Sequence, residues 1–92
     1  MQYRNYMEVI VEEKMDEVLS QYPGCCTCEQ CRQDIAVIAL NNLHPRYVST
    51  EKGQVFVRIE EMNSQAEIEV IRQLVQAVET VMAHPHHGGK NA

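Results

Sequence analysis

A chain of 92 residues with 45% apolar and 23% charged side chains has the composition of one globular domain. Its net charge of −5, from eight basic against thirteen acidic residues, excludes a general nucleic-acid-binding surface, which needs an excess of Lys and Arg against phosphates. With no Trp, one Phe and four Tyr, the core must be built from aliphatic side chains.

The first predicted element is a helix over residues 5–22. Met7, Ile10, Val11, Met15, Val18 and Tyr22 recur at three- and four-residue intervals and share one face. Asn5 followed by Glu8 has the form of a capping pair, and Pro23-Gly24 ends the element. A second helix is expected from Thr27, whose spacing to Gln30 fits a capping box. It runs through Ile35, Ala36, Ile38, Ala39 and Leu43 to Pro45, and its apolar circumference marks it as the most buried element. Tyr47-Val48 and the alternating Val55, Val57 and Ile59 then read as two strands of a hairpin, with "EKGQ" as the turn and Gly53 supplying positive φ. Ser64 and Glu67 form a capping box for a last helix striped with Ile68, Ile71, Leu74, Val75, Val78 and Met82. The fold class expected is mainly α: three helices with a short β-hairpin in a single domain over residues 1–83. Residues 84–92, containing His and Gly, read as a flexible tail.

All four cysteines lie in "GCCTCEQC", at Cys25, Cys26, Cys28 and Cys31. The N-terminus has no apolar run of the signal-peptide kind, and no stretch of about 18 apolar residues could span a bilayer. A cytoplasmic location with reduced thiols is therefore expected, and clustered thiols in a reducing compartment point to metal or redox chemistry. Zinc is the first expectation. Thiolates suit its tetrahedral site, Cys28-x-x-Cys31 has a usual half-site spacing, and a helix N-terminus favours thiolate over thiol. The expected result is a zinc knuckle at the N-terminus of the second helix. Adjacent Cys25 and Cys26 strain the backbone if both reach one ion, so the fourth ligand is either Cys25 or a histidine: His44, His84, His86 or His87.

An iron–sulfur cluster lacks a distal cysteine here, and a thioredoxin-like CxxC expects a buried strand before it, where this chain has a helix and Pro-Gly. Four unliganded exposed thiols would invite oxidation. No Ser/His/Asp set and no phosphate-cradling glycine loop accompanies the cysteines, and zinc held by cysteines alone lacks an open position for water. No enzymatic activity is expected.

The segment "CTCEQCRQDIAVIALNNLHPRYV", residues 26–48, resembles the signature of the late competence development protein ComFB family: C-x-C-x-x-C, a helix with an Asp and an "ALN" element, then proline and "YV". Cys26, Cys28, Cys31, Asp34, Ala39, Leu40, Asn41, Pro45, Tyr47 and Val48 carry the match. The resemblance implies a small, mainly helical homodimer that binds zinc through Cys26, Cys28 and Cys31, with Cys25 an addition to the pattern. It also implies a regulatory role in competence or motility, some relatives being receptors for cyclic di-GMP. For such a ligand, Arg46, Tyr47 and Arg58 are the candidate contacts, with Arg32 and Lys52 behind them, since arginine reads guanine O6 and N7 and either side chain can stack on a base. A two-fold dimer suits a two-fold symmetric ligand. The competing expectations are an adaptor with purely structural zinc, no small ligand and an unidentified regulatory partner, and a redox or zinc-responsive switch using Cys25 or Cys26 as a spare thiol.

Overall fold

The computed structural model describes residues 2–84. Its elements run β1 (Arg4–Asn5), α1 (Met7–Leu19), α2 (Glu29–Asn41), β2 (Tyr47–Val48), α3 (Glu51–Glu61) and α4 (Ser64–Ala83). Among the described residues the chain is thus mainly helical with one small antiparallel sheet, and four helices stand in place of the three expected. The tail expected over residues 84–92 falls, beyond His84, outside the described residues.

α1 forms on the face its periodicity predicts, but it runs only from Met7 to Leu19 and leaves Tyr22 half-buried in the turn beyond it. Met7, Ile10, Val11, Met15 and Val18 are all buried, joined by Leu19, while Glu8, Glu12, Glu13 and Asp16 face solvent. The capping expectation needs correction: Tyr6, not Asn5, is the N-cap, and it makes no side-chain cap bond. Asn5 sits one position earlier, where its Oδ1 accepts from the Met7 amide (3.1 Å) and from the Arg46 amide (2.7 Å). The Tyr6 amide in turn donates to the Arg46 carbonyl (2.7 Å), so the start of α1 is fastened to the segment leading into β2.

α1, α2 and α4 make the core, with the α2–α4 contact the most extensive. α2 buries only Cys31, Ile35 and Ala39, whereas α1 buries six side chains over the same length, so α1 and not α2 is the most buried element, contrary to expectation. The stripe on α4 is also rotated from the one read in the sequence. Val70, Leu74, Ala77, Val78 and Val81 face inward, Ile71 and Val75 are half-buried, and Ile68 and Met82 are exposed.

The hairpin is a clear misreading. Val55–Ile59 lies within α3, and the partner of β2 is β1, with Arg4 opposite Val48 and Asn5 opposite Tyr47. Thr50 caps α3, its Oγ1 accepting from the Gly53 amide at 2.9 Å, so "EKGQ" is a first helical turn and not a β-turn. Gly53 serves close approach instead of positive φ. A Cβ there would lie 3.3 Å from Thr50 Oγ1 and 3.5 Å from Val48 Cβ.

The α3–α4 junction is held by Asn63, the N-cap of α4 in place of the expected Ser64. Its Oδ1 accepts from the Ala66 amide (3.0 Å) and its amide nitrogen donates to the Glu60 carbonyl. Asn63→Ala removes both bonds and is expected to cost about 1 kcal/mol, the usual effect of losing an N-cap. A thermal melt would read this as a Tm lower by about 4–8 °C in a domain of this size.

Candidate metal centre

The turn after α1 brings the cysteines to the start of α2. The Tyr22 amide closes on the Leu19 carbonyl and the Cys25 amide on the Tyr22 carbonyl (both 2.9 Å), folding residues 19–25 back on themselves. Cys28 rather than Thr27 is the N-cap of α2. Its backbone is extended (φ −66°, ψ 165°) and its sulfur accepts from the Cys31 amide at 3.5 Å. Gln30, expected to reach back in a capping box, instead donates to Asp34 Oδ1 at 2.9 Å.

This geometry gathers three sulfurs. The Sγ atoms of Cys26, Cys28 and Cys31 all lie within 4.8 Å of one another. Sulfurs around a tetrahedral ion with metal–sulfur bonds of about 2.3 Å stand roughly 3.8 Å apart, so this set needs only a small contraction to close on one ion. The group is graded in depth, with Cys31 fully buried and Cys26 and Cys28 half-buried. Cys25 is not part of it: its side chain is buried and its thiol donates to the Cys26 carbonyl at 3.4 Å. Among the described residues no histidine belongs to the group. His44 and His84 are exposed, and His86 and His87 lie outside the described residues.

Hydrogen bonding and burial act in opposite directions on Cys28 and Cys31. The Cys31 amide, aimed at the Cys28 sulfur, is the main influence holding the Cys28 thiol below the ordinary thiol range. Burial pushes Cys31 up to about 12, with the neighbouring sulfurs of Cys28 and Cys26 adding to the effect. Burial also raises Cys25, helped by Cys26. A metal ion reverses this order by displacing the protons outright.

A family model described as "Late competence development protein ComFB" matches residues 4–85. The chain belongs to the ComFB family. It is similar to the competence protein ComFB of Bacillus subtilis (strain 168), with 26% identity over 81 residues, 88% of this chain and 83% of that relative. A solved structure of the late competence protein ComFB from Bacillus subtilis matches with a TM-score of 0.85 and 24% identity, covering 95% of this chain and 96% of that one. This likeness shows that the ComFB fold is shared.

The second group read from the sequence is dispersed. Arg46 pairs with Glu61 at 2.7 Å and also with Glu60. Arg58 donates to Glu13 at 2.5 Å and to the Tyr6 hydroxyl at 3.2 Å, lying 5.8 Å from the centre of that ring. Tyr47 is 64% exposed and meets Tyr3 edge to face, ring centres 6.0 Å apart. The three side chains therefore hold separate partners, and both guanidinium groups are already neutralised by carboxylates.

What the sequence reading missed is on α3. Val55, Phe56, Ile59 and Met62 project outward, each between 57% and 67% exposed, whereas Val57 is the only buried residue of the helix. The signal was present in the i, i+4, i+7 spacing of Val55, Ile59 and Met62, hidden by the strand-like alternation of the same valines. Ile68, at the start of α4, is 59% exposed as well.

Proposed function

We propose that this chain is a non-enzymatic regulatory protein of the competence and motility type, a homodimer in which zinc, held by Cys26, Cys28 and Cys31, staples the turn after α1 to the start of α2. The observation that carries the reading is the outward apolar row on α3. An 11-residue helix with one buried side chain and three large exposed apolar ones, continued by Met62 at its C-cap, is short of tertiary packing, and such helices draw their stability from covering an apolar face. A second chain on α3 supplies that cover. Zinc is assigned to the centre because soft thiolates bind it well, and its tetrahedron needs one further ligand from outside the three-sulfur group. The name of the Bacillus subtilis relative supports a role in competence.

The neutralised states of Arg46 and Arg58 favour an adaptor that meets a regulatory protein over a receptor that meets a small anion. The receptor reading rests on Tyr47, an exposed ring one residue from a guanidinium, which offers a guanine base a stacking face. Cyclic di-GMP would have to displace Glu60 and Glu61 from Arg46. Calorimetric titration of the zinc-loaded chain, with GTP as control, separates the two. The adaptor reading expects flat heats. Saturable, guanine-specific binding abolished by Arg46→Ala would replace it with the receptor reading.

A further inference from the structure

We propose that Cys28 and Cys31 form a reversible dithiol–disulfide couple that competes with the metal for the same sulfurs. The proposal deepens the zinc reading above and rests on it for its regulatory meaning. Its basis is the division of labour in the first turn of α2. Cys28 stands at the N-cap with its sulfur half-buried and within reach of solvent, whereas Cys31 is fully buried beneath the same turn. The Cys28 sulfur already leans over that turn, accepting from the Cys31 amide at 3.5 Å, and the two sulfurs lie within 4.8 Å. An accessible sulfur that attacks first and a shielded sulfur that closes the bond are the two parts such a couple requires. Cys26 is outside the helix and Cys25 is turned away to the Cys26 carbonyl.

The oxidant is hydrogen peroxide. The Cys28 thiolate attacks one peroxide oxygen; an S–O bond forms, the O–O bond breaks, and hydroxide leaves and takes a proton from solvent. Cys28 is then a sulfenic acid. The Cys31 sulfur attacks the Cys28 sulfur, an S–S bond forms as the S–O bond breaks, and the oxygen departs as water with the proton from the Cys31 thiol. Two sulfurs have each given one electron, and one peroxide has become two waters. Of the three-sulfur group only Cys26 then keeps a thiolate, too few to retain zinc. The turn before α2 loses its tie to the helix, because the new bond lies within the turn of α2 itself. Excess low-molecular-weight thiol reverses the step by exchange.

The test uses the full chain loaded with zinc and treated with hydrogen peroxide. Zinc release is followed with a chromogenic chelator, and the product is read by intact mass and fragment mapping. The expected result is stoichiometric zinc release, loss of the mass of two hydrogens and a Cys28–Cys31 link, all restored by dithiothreitol and added zinc. A link that includes Cys25 or Cys26, or a Cys28 carried to sulfinic acid with no link, overturns the proposal. Cys26→Ser keeps both members of the couple and should still form the link. Cys31→Ser should stop at a sulfenic acid trapped by dimedone. A chain that holds no zinc is oxidised in the same way: the link then still appears if the couple is right, so failure of the zinc reading is told apart from failure of this one.

Discussion

Removing the metal with a strong chelator is expected to lower the Tm of this chain by about 15 °C or more. A ligand held at a thousand times its dissociation constant adds about 4 kcal/mol to the folded state, and in a domain of this size each kcal/mol moves Tm by about 4–8 °C. Cys31→Ser should have the same effect without chelator, since it removes the deepest of the three sulfurs. Cys25→Ser should leave metal content unchanged, because the Cys25 sulfur lies outside the three-sulfur group. The two states should also respond oppositely to pH. Without metal, burial raises the Cys31 thiol from 9.0 to about 12, so the fold favours its protonated form. That contribution is complete below the unfolded value and is lost as pH rises from about 9 towards 12. With metal bound the thiolates are required, so stability is lost as pH falls and protons compete for the sulfurs. Melting curves across pH, with and without chelator, check both slopes. Identical curves after complete metal removal would dispose of a structural role for the ion.

The second large effect is expected at α3. Ile59→Asp should turn a dimer into a monomer, read by sedimentation equilibrium as the mass of one chain instead of two. Ile59 is 65% exposed within one chain, so the substitution leaves the fold of the single chain intact. In a dimer joined across α3 it buries an unpaired carboxylate amid Val55, Phe56 and Met62. Leaving a charge without a partner in such a setting costs about 3 kcal/mol or more, which raises the dissociation constant by over two orders of magnitude. Retention of the dimer by Ile59→Asp would move the contact elsewhere on the surface, and a monomeric parent chain would remove the homodimer from the proposed function.

The centre and the fold were legible to different degrees, for reasons that particular residues make plain. The clustering of Cys26, Cys28 and Cys31 and the face of α1 from Met7 to Val18 depend on local spacing and appear in the structure as the spacing implied, whereas Cys25 and Tyr22 fall outside them. The N-cap positions were displaced by one residue at each of three helices: Cys28 and Asn63, neighbours of Thr27 and Ser64, take the capping bonds at α2 and α4, and at α1 the position falls to Tyr6, which makes no side-chain cap bond. At α2 that neighbour is Cys28, a sulfur acceptor that the usual oxygen-based capping pattern does not anticipate. α3 was lost as a strand because β-branched valines at alternate positions satisfy a period of two as well as a helix turn, and the deciding Thr50 cap is local but weak. The separation of Arg46 from Arg58 was beyond reach, since their partners Glu60, Glu61 and Glu13 are fixed only once the helices dock.

Asn5 gives the molecule a property of a different kind. One carbonyl oxygen serves amides 39 residues apart in the chain, those of Met7 and Arg46. The Met7 bond can form as soon as α1 does, but the Arg46 bond waits for α2 to be made and folded back. The final seal on the N-terminal end is therefore a late event in folding, gated by closure of a long loop whose entropic cost has to be met first. In reverse, an excursion that parts β1 from β2 breaks this bond together with the Tyr6–Arg46 bond. Both bonds thus part in one local opening of the two strands, which couples the entry to α1 with the segment that precedes β2.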